Sequence, residues 1–229
     1  MIYPFWFRGV PNYGDILTPF MLNKLGIKYI YVRKDRCDSL FIGSIANLAR
    51  AGVGIYGSGF IRKTDKPCVD AKWHFVRGPL TRQMVIDAGG CCPEIYGDIA
   101  LLLPDFIKPS EKQHDIGYTP HGVEHQLFPR DARRIRMYYR DVAHTTREIT
   151  KCRKIISSSL HGIIVAHAYG IPAAYVSMSD KLSGDGMKFE DYYRSVGLEP
   201  VLSTIQEPVF QVPTQIDMSE PRKILEGLR

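Results

Sequence analysis

The chain has no apolar run of about eighteen residues, the length that marks a transmembrane helix. Residues 1–7 also lack the basic flank and the cleavage site of a signal peptide, so we expect a cytoplasmic protein. Five cysteines, an odd number with no histidine at metal-site spacing, do not make a disulfide framework. These absences predict reduced thiols and no structural zinc.

Nucleotide-binding motifs are also missing from the sequence. Glycine and serine follow several predicted strands, but their spacing matches neither the Rossmann dinucleotide fingerprint nor a P-loop. We therefore predict no cofactor, neither a nicotinamide nor a metal ion, and no nucleotide hydrolysis.

The chain does contain enough apolar residues for substantial cores, together with an excess of positive charge. With 229 residues, 45% of them apolar, it can form one large domain or two small ones. A formal charge of +6 favours an anionic partner: a phosphorylated metabolite, an acidic lipid surface or nucleic acid. The basic cluster at 130–140 is interpreted as a solvated face, with peripheral membrane contact as the alternative. No nucleic-acid motif accompanies it, so nucleic acid is not an expected partner.

Residues 155–176 carry the strongest pattern, which is a strand, a polar turn, a helix and another strand. Apolar side chains recur at helical spacing from 160 to 168, Gly170 marks the helix end, and Pro172 follows. Because this helix is apolar nearly all round, we expect it to be buried in a layered α/β domain. Three serines precede it where N-caps are needed, namely Ser157, Ser158 and Ser159.

The first turn of this helix differs from the rest of it. Free backbone N–H groups, the positive end of the helix dipole, the serine hydroxyls and His161 together predict a cradle for a phosphate or a carboxylate. The alternative is that the serines only cap a core helix and that His161 hydrogen-bonds a neighbouring loop. His167, deeper on the apolar stripe, is interpreted as a core histidine.

The N-terminal half is predicted to contain strands that end in polar loops. The predicted elements are a strand at 3–7, a helix at 16–25, and strands at 29–32, 40–42, 55–56 and 73–76. In open α/β sheets, ligands bind at the carboxyl ends of strands. Asn12 and Asp15 could therefore bind or deprotonate a sugar hydroxyl, although helix caps would look the same. Gly57 and Ser58 follow a strand where a ligand can approach the backbone.

Arg77 ends the strand at 73–76, and Gly78 with Pro79 indicates that a helix starts directly after it. A guanidinium in that position can grip a carboxylate or a phosphate through two hydrogen bonds. The alternative is a surface salt bridge, which suits Arg82 better because Arg82 lies further into the helix.

A linker-like stretch at 107–114 places a domain boundary near residue 110. The predicted domains are therefore 1–110 and 111–229. In the second domain we predict a strand from 116, a strand at 136–139, a helix at 145–152, a glycine-rich loop at 179–188, a short helix at 189–195 and a helical tail at 219–228.

Several motifs, taken in order, resemble those of the polysaccharide pyruvyl transferase family. They are Asn12–Asp15, Gly57–Phe60, Arg77–Thr81, Gly97–Ala100, Ser157–Gly162 with its continuation to Pro172, and Lys188–Tyr193. The resemblance implies a GT-B-like α/β fold, in which two Rossmann-type domains face a central cleft. It also implies phosphoenolpyruvate as donor and a sugar of an exopolysaccharide repeat unit as acceptor, which we expect to be lipid-linked. The products would be a cyclic pyruvate ketal and phosphate.

The family pattern also assigns roles to particular residues. It places Arg77 and His161 at the phosphoenolpyruvate site. Many members have an arginine where this chain has Ser159, so Lys188 is our candidate for the missing positive charge, with serine hydroxyls beside it. His161 is the expected acid, because histidine is the usual proton donor at neutral pH and the positive helix end favours release of the proton. Asp15 and His121 are the candidate bases.

Two other functions remain open. A GT-B glycosyltransferase using a nucleotide sugar would share the cleft and the anion-binding helix. A non-catalytic glycan-binding subunit of a polysaccharide assembly complex would bind the acceptor without releasing phosphate. The presence of both Arg77 and His161 favours an enzyme.

Overall fold

Parallel strands form one sheet in each half of the chain. This computed structural model describes residues 1–9, 12–130, 133–138 and 140–229. The strands are β1 Pro4–Phe5, β2 Ser39–Leu40, β3 Gly54–Tyr56, β4 Lys72–Phe75, β5 His114–Thr119, β6 Cys152–Ser157, β7 Ala173–Val176 and β8 Leu202–Ser203. Strands β1 to β4 make the first sheet and β5 to β8 the second, each in sequence order with parallel neighbours. The predicted α/β class is confirmed, and the GT-B-like cleft stays a prediction.

Helices alternate with these strands. They are α1 Tyr13–Lys24, α2 Pro79–Asp87, α3 Val142–Thr150, α4 Leu160–Ala168, α5 Met187–Ser195 and α6 Ser219–Glu226. Shorter 3-10 segments lie at Ala46–Leu48, Ile99–Asp105 and Gly122–Leu127. No helix in the described part of the chain is long and apolar enough to cross a membrane.

Helix boundaries follow from local capping. Helix α1 begins at Tyr13, earlier than the predicted position 16, because Asn12 Oδ1 accepts a hydrogen bond from the Gly14 N–H at 2.9 Å. Helix α2 begins at Pro79 after the N-cap Gly78, as predicted. Helix α3 begins at Val142, before the predicted position 145, because the Asp141 carboxylate caps it.

Two predicted strands are wrong in the part of the chain that is described. Residues 136–138 form no strand; the nearby strand-like contact is a single bridge between Arg134 and Tyr118. Position 139 lies outside the described residues. The strand predicted at 29–32 is reduced to one bridge between Tyr29 and Ile2. Cys152, predicted to end a helix, instead begins β6.

The largest apolar core draws on both halves of the chain. It joins α1 to α3, α4 and the 3-10 segment Ile99–Asp105. The buried Tyr13 hydroxyl lies 2.7 Å from Thr146 Oγ1, which itself donates to the Val142 carbonyl, so Tyr13 is the donor across this junction. Because α1 and α3 pack against each other, α1 is held beside the second sheet.

An ionic network fixes α5 to α2 at a second junction. Asp191 of α5 and Arg77 are both fully buried, with Asp191 Oδ2 3.0 Å from Arg77 Nε. The same carboxylate accepts from the Thr81 N–H and hydroxyl, each at 2.8 Å, in the first turn of α2. A Cβ at Gly78 would lie 1.9 Å from the Asp191 carbonyl oxygen, so only glycine lets α5 dock.

Candidate active site

The turn between β6 and α4 is held by its own serines. Ser159 occupies the N-cap as predicted, but its hydroxyl makes no cap hydrogen bond. Ser157 Oγ accepts from the Ser159 N–H at 3.0 Å, and Ser158 Oγ accepts from the His121 N–H at 3.0 Å. Both of these serines are fully buried, whereas Ser159 lines a cavity. Ser157 and Ser158 therefore shape the turn beneath the site, and only Ser159 faces it.

That cavity lies where the two halves meet and has a volume of about 220 Å³. The loop after β1, the starts of α1 and α4, the loop after β2 and the segment leading into α5 all contribute to it. Its lining includes Phe7, Asn12, Gly14, Asp15, Gly43, Ser44, Ile61, His121, Ser159, His161, Ser183 and Lys188. The predicted residues Asn12, Asp15, His121, Ser159, His161 and Lys188 are thus brought together. A second cavity of about 400 Å³ adjoins it and shares Phe7, Asn12, Asp15, His121 and Ser159.

His161 lies in the first turn of α4, with its imidazole between two fixed neighbours. Its Nε2 lies 3.4 Å from Oδ2 of Asp98, whose carboxyl is almost fully buried. Among the described residues, neither His161 Nε2 nor Asp98 Oδ2 has another hydrogen-bond partner. The other carboxylate oxygen of Asp98 accepts from the Ala100 N–H at 2.9 Å, so Asp98 itself is held in place. Asp98 is therefore positioned to orient the ring of His161.

On the opposite side of the ring lies Gly14. A Cβ at this position would lie 2.2 Å from His161 Nδ1, which is closer than any real Cβ contact. Glycine is required here for the room that it leaves, because Gly14 is an ordinary helical residue of α1.

The Gly14→Ala variant should displace the His161 ring and lower kcat by about 10²-fold, as an error of about 1 Å in a reacting group can do. The measurement is steady-state turnover, with circular dichroism to show that the variant is folded. Gly227→Ala is the matched control, since a Cβ there meets only an ordinary contact at 3.4 Å. Unchanged kcat in Gly14→Ala would show that the position of His161 does not matter.

Asp15 lines both adjoining cavities. Burial raises the pKa of its carboxyl to about 6, against an opposing effect of His161. A carboxylate with this pKa is ionised at pH 7 yet is a stronger base than an ordinary aspartate, which suits proton abstraction from a hydroxyl.

Lys188 supplies a cation to the cavity. Its Nζ donates to the Ser183 carbonyl at 3.0 Å, and the side chain is mostly buried. Burial, with a smaller effect of Arg77, lowers the pKa of Lys188 to about 8, and Glu124 opposes the shift. The ammonium form is therefore available at neutral pH, and it forms no ion pair with a carboxylate of the described residues.

His121 also lines both cavities. Burial and then Lys188 lower the pKa of its imidazole. Its Nδ1 accepts from the Val123 N–H at 3.4 Å, which places the proton of the neutral ring on Nε2. The role of His121 as a base stays a prediction.

Arg77, Gly57 and Ser58 lie behind the cavity wall, and none of them is in its lining. The Arg77 guanidinium is fully buried and also donates to Ser44 Oγ at 2.7 Å and to the Phe60 carbonyl at 2.7 Å. Ser58 Oγ donates to the Gly43 carbonyl at 2.9 Å. Because Gly43 and Ser44 do line the cavity, Arg77 and Ser58 act on its shape rather than on a ligand.

Sequence reasoning missed Glu124, Asp191 and the orienting position of Asp98. Glu124 is fully buried and accepts from the Met178 N–H at 3.0 Å and from Ser179 Oγ at 2.8 Å, which anchors the loop that leads to Ser183. Asp98 stands in a recognisable motif, but its partner is distant in the chain. Asp191 likewise stands in the Lys188–Tyr193 motif, but its partner Arg77 is far away in the chain. No local pattern distinguishes Glu124 from a surface acid.

Among the described residues, no group of three or more histidine, cysteine, aspartate or glutamate side chains is placed to hold a metal ion.

Fold and site together define an α/β protein with a small cavity that combines a helix N-terminus, a buried lysine, an aspartate and a histidine held against a second, buried aspartate. The chain belongs to the polysaccharide pyruvyl transferase family, whose sequence pattern matches residues 3–180. This confirms the resemblance seen in the sequence.

Individual relatives extend the comparison. The chain is 30% identical over 222 residues to uncharacterized protein L143 of Acanthamoeba polyphaga mimivirus, covering 86% of this chain and 75% of that protein. It is 27% identical over 215 residues to succinoglycan biosynthesis protein ExoV of Rhizobium meliloti (strain 1021), covering 85% of this chain and 64% of ExoV. A solved structure of an uncharacterized Klebsiella pneumoniae protein covers 84% of this chain and 87% of its own at 15% identity and a TM-score of 0.49, a likeness that adds nothing to the assignment.

Proposed function

We propose that this protein transfers the enolpyruvyl group of phosphoenolpyruvate to two hydroxyls of one sugar in an exopolysaccharide repeat unit, forming a pyruvate ketal and releasing phosphate. Family membership and the similarity to a succinoglycan biosynthesis protein support pyruvyl transfer in polysaccharide synthesis. The observation that supports phosphoenolpyruvate as the donor is that Lys188, His161 and the first turn of α4 line one cavity.

The donor is a small molecule with a phosphate and a carboxylate. Backbone N–H groups at the start of α4, the Ser159 hydroxyl and the Lys188 ammonium can bind such anions. The cavity, at about 220 Å³, is smaller than the roughly 300–1,000 Å³ typical of sites for drug-sized ligands. This size favours phosphoenolpyruvate over a nucleotide sugar.

The adjoining cavity of about 400 Å³ is the proposed place of the acceptor sugar. Asp15 and Asn12 line both cavities, so they stand between donor and acceptor. Asn12 keeps its amide nitrogen for a sugar hydroxyl, because its Oδ1 already accepts from the Gly14 N–H.

In the first step, the His161 imidazolium gives its proton to the methylene carbon of phosphoenolpyruvate. One acceptor hydroxyl adds to the adjacent carbon, and Asp15 takes the proton of that hydroxyl. Asp98 opposite Nε2 stabilises the imidazolium before the transfer and holds the ring in place.

In the second step, the bond between that carbon and the phosphate oxygen breaks, and phosphate leaves with the proton from Asp15. The second hydroxyl of the same sugar then attacks the carbon and closes the ring. Its proton returns to His161, so the enzyme regains its starting state and all atoms balance.

Lys188→Ala should raise the KM for phosphoenolpyruvate about tenfold or more, because a charge-assisted contact contributes about 1.5–3 kcal/mol. The KM for the acceptor should change much less. Initial rates of phosphate release at varied donor and acceptor concentrations give both constants, and an unchanged donor KM would remove Lys188 from the donor site.

Lys188→Arg with a pH series is the matched control. The pKa of Lys188 is about 8, so in the unsubstituted protein the cation is lost, and the donor KM rises, as the pH increases through that value. An arginine keeps its charge there, and the rise should disappear.

The function itself is tested by incubating the protein with phosphoenolpyruvate, or with nucleotide sugars, and a panel of glycan acceptors. Phosphate released only when donor and acceptor are both present supports the proposal. Nucleoside diphosphate release would identify a glycosyltransferase, and acceptor binding with neither product would identify a binding subunit.

A further inference from the structure

A third and larger cavity, here called the aromatic groove, lies next to the site and has no role in the chemistry above. Its volume is about 680 Å³. The loop after β1 provides Trp6, Phe7 and Arg8, and the outer face of α1 provides Phe20. Tyr29 and Tyr31 complete the aromatic part of the lining, with Arg140 and Asp141 beside it.

The groove is continuous with the candidate site. Phe7 lines the groove and both site cavities, and it is about half exposed. Helix α1 connects them as well, since Asp15 lies in the site while Phe20, little more than one turn further on, lies in the groove. One extended ligand can therefore occupy the site and the groove together.

The aromatic rings of the groove are fixed before any ligand arrives. The Trp6 indole meets Tyr31 edge to face at 4.7 Å and Tyr29 at 5.8 Å. The Arg8 guanidinium lies 4.4 Å from the centre of the Tyr31 ring. Such a packed cluster costs little conformational entropy when it binds a ligand.

Aromatic faces combined with charged groups match one chemistry in particular. A sugar ring has an apolar face of C–H groups and a rim of hydroxyls, so it can stack on a tyrosine while its rim bonds to arginine and aspartate. A hydrocarbon chain would offer no hydrogen-bonding groups to Arg8, Arg140 and Asp141, which line the groove beside the rings.

We propose that the aromatic groove binds the sugar units of the acceptor that lie beyond the one being modified. This inference rests on the proposed function for the identity of the ligand. It adds that the enzyme recognises an oligosaccharide rather than a single sugar, and that Tyr31 and Phe20 set this preference.

The test measures binding in the absence of phosphoenolpyruvate, so it does not depend on turnover. The chain has two tryptophans. Trp73 lines none of the three cavities and its indole N–H donates to the Cys68 carbonyl, so Trp73→Phe leaves Trp6 as the fluorescent reporter in the groove. The probes are gluco-, galacto- and manno-oligosaccharides of α and β linkage, from single sugars to hexasaccharides, and calorimetry on the unsubstituted chain checks each result.

We expect affinity to rise with probe length for at least one series. Tyr31→Ala and Phe20→Ala should each weaken hexasaccharide binding about tenfold, or about 1.4 kcal/mol, and leave the affinity for the single sugar unchanged. Tyr3→Ala is the control, because Tyr3 is about as exposed as Phe7 of the groove and lines none of the three cavities. If either variant does not fold, the exposed Arg8→Ala replaces it.

The subsite is refuted if no series binds more tightly with length, or if the groove variants bind hexasaccharides normally. It is also refuted if these substitutions abolish binding to phosphatidylglycerol vesicles and spare saccharide binding, which would identify a lipid surface. Failure of the proposed function is distinct: length-dependent binding through Tyr31 and Phe20 would persist while phosphoenolpyruvate gave no phosphate.

Discussion

His161→Ala is expected to turn over about 10²–10⁴-fold more slowly than the unsubstituted protein, the usual contribution of one general acid or base. The histidine is enclosed by Gly14 on one side and by Asp98 on the other, so no neighbouring group can take its place without a rearrangement. Single-turnover measurements with saturating phosphoenolpyruvate and acceptor separate this effect from substrate binding.

His144→Ala is the matched control for this loss, because His144 is exposed on α3 and lines none of the three cavities. It should keep full turnover. If His161→Ala kept near-normal kcat while remaining folded, the proton would have to come from another group, and Asp15 would be the first to examine.

Asp191→Ala is expected to lower the free energy of unfolding by about 3–5 kcal/mol, the usual cost of removing one partner of a buried ion pair. The loss would leave the buried Arg77 guanidinium without the charge of Asp191 and would remove the two hydrogen bonds that Thr81 donates to that carboxylate. Urea unfolding monitored by circular dichroism measures it.

A double variant provides the control for the ion pair. Arg77→Met together with Asp191→Ala removes both charges, so its loss should be clearly smaller than the sum of the two single losses. A loss below about 1 kcal/mol in Asp191→Ala would show that the junction between α2 and α5 does not depend on this pair.

The spacing of apolar residues predicts correctly those elements that depend only on neighbouring residues in the chain. The stretch around α4 has a strong helical pattern, a cap position and a glycine stop, and the structure places the helix at Leu160–Ala168. His167 was also predicted correctly as a core residue: it is buried and contacts the Tyr192 hydroxyl at 3.0 Å and the Gln211 carbonyl at 3.1 Å.

Prediction failed where a residue's role depends on a partner far away in the chain. Arg77 has the sequence context of an anion-binding residue, but Asp191 from α5 takes its guanidinium, and no pattern near either residue indicates the other. The strand predicted at 29–32 is wrong for a related reason, since strand formation depends on pairing with a neighbour, and only Tyr29 forms a bridge there, with Ile2.

At the candidate site, some predicted residues line the cavity and others do not. Sequence motifs predict Asn12, Asp15, Ser159, His161 and Lys188 as site residues, and all five line one cavity. The serines were expected to act alike, yet their backbone geometry buries Ser157 and Ser158 and leaves Ser159 facing the cavity. Such differences arise from the turn between β6 and α4 and cannot be read from residue type.

Mass spectrometry of glycan acceptors after incubation with phosphoenolpyruvate tests the central claim most directly, with released phosphate counted in the same reaction. The account predicts that each modified acceptor gains the mass of pyruvate less one water, with one phosphate released per added group and about 10²–10⁴-fold slower formation of both products in His161→Ala. Phosphate release without any gain in acceptor mass, or an acceptor modified by a whole sugar, would contradict it.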